Sequence, residues 1–126
     1  MWEAYGLENE DFLWSCTNFM GGIGGHQQAV CGAVSASAVC LGLRHRHPLD
    51  DEEGTEQARQ DARQKAGELV QSFTEKFGTI ICRDLVGIDF SDPEAASRFR
   101  ESGMGKEKCE RYVQFAVEKL YELDDK

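Results

Sequence analysis

The stretch "VCGAVSASAVCLG", Val30 to Gly42, decides the fold. Its residues are small or apolar throughout, and two of the chain's five cysteines lie in it. No charge or large polar group marks a solvent face. The spacing predicts a helix from about Gln28 to Leu43 that is buried at the centre of the molecule. Alanine, serine and glycine side chains would let neighbouring helices approach it closely. "RHRHP" follows, with Arg44, His45 and Arg46 placed to favour the helix dipole and Pro48 to stop the helix. The glycine loop "GGIGG", Gly21 to Gly25, comes just before it.

Working outward, the remaining segments also carry helical spacing. "NEDFLWSCTNFMGG" predicts a first helix, capped by Asn9 or Asp11 and ended by Gly21–Gly22. From Asp51 or Thr55 to Phe77, the residues Ala58, Ala62, Ala66, Leu69, Phe73 and Phe77 recur at steps of three and four, and Gly78 follows as a stop. "TIICRDLVG" predicts a short helical turn with Thr79 as its cap. Ser91 or Asp92, then Pro93, opens "PEAASRFRES". The last helix, about Lys106 to Leu123, carries the stripe Cys109, Tyr112, Val113, Ala116, Leu120 and Leu123. No segment alternates with period two. The expected fold is all-α: one domain over residues 1–126, a compact bundle of about five helices around a small-residue central helix.

Composition excludes several functions. Lys and Arg number 14 against 23 Asp and Glu, a net charge of −9. Such a surface repels phosphates, so nucleic-acid binding is not expected. The apolar window Ala29 to Leu43 is too short to span a bilayer. "MWEAYGLENED" has neither a basic stretch nor an apolar run, so no signal peptide is expected and a cytoplasmic location is the default. In that compartment five cysteines point to free, metal-bound or redox-active thiols rather than structural disulfides.

The cysteines are not equivalent. Cys109 is expected to face the core. Cys31 and Cys82 lie near helix starts, where backbone N–H groups stabilise a thiolate, so both are expected to be more acidic than an ordinary thiol. Cys40 lies nine residues after Cys31, half a helical rotation away, so the two are not expected to share a site. Cys16 sits late in its helix, where the dipole gives no help. Burial as small hydrophobes is the competing explanation for each thiol, and no CxxC pair argues otherwise. Two histidines at Arg44–Pro48 are too few for a metal site, and "GGIGG" lacks the Lys-Ser/Thr of a phosphate loop. Close backbone packing accounts better for those glycines.

Three segments, "FMGGIGG…VCGAVSASAVCLGL", "ELVQSFTEKFGTIICRDLVG" and "KCERYVQFAVEKLYEL", together resemble the C_GCAxxG_C_C family, from about Tyr5 to Leu123. The resemblance implies a small all-helical protein whose signature cysteines are proposed to be redox-active or to hold a metal ion or iron–sulfur cluster. Cys31 matches the cysteine of the CGA element, completed by Gly32 and Ala33. Cys82 matches that of "CRDLVG", and Cys109 that of the last helix. The motif's second glycine falls at Ala36. The family's first cysteine belongs to a helix before "YGL", here Tyr5 to Leu7, and so would precede Met1. Cys16 does not match it. The resemblance thus implies a member short of that helix: supplied by a partner chain, lost with decay of the site, or truncated. A homo-oligomer or a partner chain is the matching expectation, because an uncovered apolar face tends to be buried by association.

Two functions are carried forward. In one, Cys31, Cys82 and Cys109 converge from three helices as redox thiols that cycle through a reversible disulfide and serve a redox partner protein, with Cys31 or Cys82 attacking. In a variant of it they act as metal ligands with an open fourth position. In the other, the chain is a non-catalytic structural or interaction module of an oxidoreductase or transporter complex, and its cysteines are core packing. Nothing in the sequence supports an organic active site, and whether the chain is an enzyme stays open at this point.

Overall fold

A computed structural model describes residues 6–124. Tyr5, the first residue of "YGL", lies outside them. The order is α1 (Asp11–Cys16), a 3-10 turn (Thr17–Phe19), α2 (Gly32–Arg44), α3 (Glu52–Phe77), α4 (Cys82–Val86), α5 (Pro93–Ser102) and α6 (Met104–Asp124). The fold is all-α, with no strand among the described residues beyond one isolated antiparallel bridge, Val30 to Ile81.

Local chemistry sets most boundaries. The Asp51 carboxylate accepts from the Gly54 amide and caps α3, and Gly78 ends it with a left-handed φ of 87°. Asp92 accepts from the Glu94 and Ala95 amides ahead of Pro93. Thr79 serves α4 at one remove, its hydroxyl accepting from the Ile81 amide at 3.1 Å, while Ile81 holds the cap position.

Three helices make the core. α2, α3 and α6 pack against one another, and Val34, Leu41, Leu69, Phe73, Tyr112, Leu120 and Leu123 are buried between them. Phe73, Phe77, Tyr112 and Phe115 form an aromatic cluster, with the Phe77 and Tyr112 rings 4.8 Å apart and edge-on. A smaller cluster joins Cys82, Val86 and Phe99, with Ile88 and Phe90 against it.

Three expectations about α2 are corrected. α2 begins at Gly32, not Gln28, because Val30 pairs with Ile81 in the antiparallel bridge: the Cys31 amide donates to the Ile80 carbonyl and the Cys82 amide to the Ala29 carbonyl. Nor is α2 buried all round. Val34, Ser37 and Leu41 are buried, whereas Ala33, Ala36 and Cys40 border an apolar groove. The cationic end of α2 also differs. Arg46 donates to the Leu43 carbonyl as the dipole requires. His47 instead bonds Asp51 at 2.8 Å, and burial together with Lys65 holds the His45 pKa below its ordinary value.

Candidate thiol site

The Val30–Ile81 bridge positions the first two thiols. It is a non-hydrogen-bonded pair flanked by the Cys31-to-Ile80 and Cys82-to-Ala29 bonds. Side chains alternate along such a pair, so Cys31 and Cys82 emerge on the same side, diagonal to one another. Cys31 then caps α2 and Cys82 opens α4. The third thiol, Cys109, comes from the first half of α6. α6 is tied to α4 by the buried Tyr112 hydroxyl, which donates to the Leu85 carbonyl at 2.7 Å.

The glycine loop holds this arrangement from the other side. Gly22 has a φ of 64°, and a Cβ there would come within 2.8 Å of the Cys82 Cβ and 2.9 Å of the Gln27 Cα. A Cβ on Gly32 would meet the Phe19 carbonyl oxygen at 2.8 Å. Both glycines therefore serve close backbone packing beside the thiols. Gln27, 1 % exposed, completes the brace. Its amide donates to the Ile88 carbonyl at 2.8 Å and accepts from the Phe90 amide at 2.7 Å, fastening the glycine loop to the segment after α4. Sequence reasoning passed over Gln27. A lone glutamine after a glycine run carries no pattern, and its partners lie 61 and 63 residues away.

The thiols open onto one groove of about 670 Å³, of the size that takes a small molecule or a peptide segment. All five cysteines line it, among overwhelmingly apolar neighbours such as Leu7, Phe12, Leu43, Val113 and Val117. Within it they form two groups. Cys82 senses the charge of Cys31 and Cys109, and Cys109 senses that of Cys31. Cys40 senses Cys16. The three thiols singled out from the sequence thus line one groove and act on one another's charge. Cys31 and Cys40 share the groove but not a group, since nine residues of helix separate them by about 13 Å of rise.

Accessibility and acidity depart from expectation. Cys82 is buried, Cys31 half-buried and Cys109 exposed at the groove, as is Val113 next to it, so the α6 stripe runs from the core out to the groove. Burial pushes all three thiols up from their ordinary pKa rather than down. At Cys31 the Ala33 and Val34 amides favour the thiolate, as its place at the helix start predicts, but desolvation is the larger effect. At Cys82 and Cys109 the neighbouring thiols add to desolvation, and Arg83 and Lys108 offset only part of it.

The donor set does not suit a metal as it stands. Among the described residues no three His, Cys, Asp or Glu side chains are grouped closely enough to hold an ion. All five thiols are free. The chemistry available to the site is that of neighbouring thiols in an apolar cleft.

A family model described as "Putative redox-active protein (C_GCAxxG_C_C)" matches residues 1–123. The chain belongs to this family. The match runs through the glycine loop, the CGA element, "CRDLVG" and α6, the segments that carry Cys31, Cys82 and Cys109. No curated protein and no solved structure matches the chain. No helix among the described residues is long and apolar enough to cross a membrane.

Proposed function

We propose that this family member is a dithiol reductant that exchanges electrons with disulfide substrates in the apolar groove. The observation that carries the proposal is that Cys31, Cys82 and Cys109, from three separate elements, line one open cleft and act on one another's charge. Cys109 is the exposed member and makes the first attack, a role that the sequence favoured for Cys31 or Cys82. Its thiolate attacks one sulfur of a disulfide R–S–S–R′. A Cys109–S–S–R bond forms, and R′–S⁻ leaves and takes up a proton. The Cys31 thiol loses its proton and attacks the Cys109 sulfur. A Cys31–Cys109 disulfide forms, and R–S⁻ leaves and is protonated in turn. The protein gives up two electrons and two protons, and the substrate becomes two thiols.

The raised thiol pKa values favour the direction of transfer. A stabilised thiolate makes a protein disulfide oxidising, because it lowers the energy of the reduced form. Here burial stabilises no thiolate, so the dithiol is poised to donate electrons. The lining favours a substrate with apolar groups beside its disulfide.

Oxidised glutathione tests the proposal. Wild-type protein should lose the Cys31 and Cys109 thiols and reduce one equivalent of glutathione disulfide at that pair. Cys31→Ser/Cys82→Ser, which removes both resolving thiols, should trap a mixed disulfide on Cys109. Cys109→Ser should slow the reaction by about tenfold or more, a loss of about 1.4 kcal/mol in barrier terms. Thiols that stay free in folded protein, yet react once it is unfolded in urea, would overturn the proposal.

A second reading rests on the packing itself. Cys31 and Cys40 lie against the main core and Cys82 within the smaller cluster, and buried thiols of raised pKa are ordinarily inert. On that reading the chain is a non-catalytic module. Cys82→Ala would then lower stability by about 1–2 kcal/mol and leave glutathione chemistry unchanged.

A further inference from the structure

The other thiol group, Cys16 and Cys40, belongs to no motif and takes no part in the chemistry above. Cys16 is the last residue of α1, and Cys40 lies in the last two turns of α2. α1 rests on α2, both thiols border the groove, and both are half-buried, so each is reachable from solvent. The Cys16 charge also acts on Cys40.

The wall that carries Cys16 is short. α1 has six residues and none of them is buried, and the Asn9 side chain accepts from the Asp11 amide at its start. A helix so short has little stability of its own. Yet Phe12, Leu13 and Cys16 of α1 all line the groove, followed by Phe19 and Met20 of the next turn. α1 thus forms a short, exposed wall beside the groove thiols, with Cys16 on it and Cys40 on the helix it rests against.

We propose that Cys16 and Cys40 form a second dithiol site, which low-molecular-weight disulfides oxidise to a Cys16–Cys40 bond that staples α1 to α2 and restricts entry to the groove. One of the two thiolates attacks R–S–S–R, forming a mixed disulfide and releasing R–S⁻. The other displaces the second R–S⁻. Two protein thiols lose two protons and two electrons, and two R–SH molecules form. Bond formation rests on the contact of α1 with α2 and on the shared groove that both thiols line, not on the reductant reading. The restriction of entry matters to function only if the reductant reading holds.

The chain with Cys31→Ser, Cys82→Ser and Cys109→Ser isolates the pair. On incubation with oxidised glutathione it should lose two thiols and two hydrogens of mass, and proteolysis should recover a linked pair of peptides holding Cys16 and Cys40. Adding Cys16→Ser should leave a glutathione adduct at Cys40. The linked pair should also be recovered from oxidised wild-type protein, which guards against misfolding of the variant. In Cys109→Ser protein oxidised in this way, alkylation of Cys31 and Cys82 by iodoacetamide should slow at least about fivefold relative to the reduced form. Separate glutathione adducts with no linked peptide, in both proteins, would overturn the site. Alkylation that is equally fast in the oxidised and reduced forms would overturn the restriction of entry. Neither result depends on whether Cys109 attacks disulfides, so failure here and failure of the reductant reading are distinguishable.

Discussion

The two faces of α2 differ although their sequence composition is nearly the same. Val34 and Leu41 point into the interface with α3 and α6, where Leu41 is fully buried and meets the layer built on Phe73 and Leu120. Ala33, Ala36 and Cys40 line the open groove. Small apolar residues occupy both faces, so what separates them is what lies opposite. α3 and α6 supply large side chains that interlock, whereas α1 supplies a short helix with nothing buried. One face carries the stability of the molecule, and the other keeps five thiols within reach.

The sharpest way to break this contrast is on the packed side. Phe73 is 0 % exposed and contacts the rings of Phe77, Tyr112 and Phe115. Phe73→Ala should cost about 3–5 kcal/mol in urea unfolding, while Leu13→Ala on the groove side should cost below about 1 kcal/mol. Similar losses at both sites would refute the division into packed and open faces.

The glycine loop gives the next largest effect. Gly22→Ala must hold a positive φ and also displace the Cys82 Cβ or the Gln27 backbone, so a loss of about 2–4 kcal/mol is expected. Gly24 has a similar φ of 62° but open space around it, and Gly24→Ala should cost only about 1–2 kcal/mol. Thermal unfolding of the pair separates backbone strain from the close approach to Cys82, and equal losses would mean that the approach costs nothing. Gln27→Leu should follow at about 1–3 kcal/mol, since it leaves the Ile88 carbonyl and Phe90 amide without their partner.

The smallest effect is the pH dependence. The folded state raises the pKa of Cys31, Cys40, Cys82 and Cys109 above the unfolded value. Their contribution to stability is therefore fully present below the unfolded thiol pKa, about pH 8.5, and is lost as pH rises through the folded values. Urea midpoints under reducing conditions should be insensitive to these groups from pH 7 to 8 and fall towards pH 10. Cys82→Ala should make that fall shallower. A midpoint that rises in the same range would contradict the burial of the thiols. Alkylation rates should climb over the same interval without levelling off near neutrality.

Much of the fold was legible because helices are local. The step of three and four from Ala58 to Phe77, Asp51 before it and Gly78 after it lie within one continuous stretch, and each acts on its near neighbours. The same holds for Asp92–Pro93 at the start of α5. The start of α2 was misjudged because Val30 pairs in a bridge with Ile81, some fifty residues on. Gln27 went unread for the same reason. The acidity of Cys31 was misjudged because its helix start is local and visible, whereas the desolvation that outweighs it comes from groups far along the chain.

By itself the sequence determined the all-helical fold, most helix ends, the acidic surface and the family. Hydrophobic period, capping and covalent order are all properties of neighbouring residues. Only the tertiary structure decided that all five thiols line one groove, which one is exposed, and that α1 brings Cys16 to the groove that Cys40 of α2 also borders. Proximity and solvation depend on what the folded chain packs against each sulfur, and spacing along the chain does not encode that.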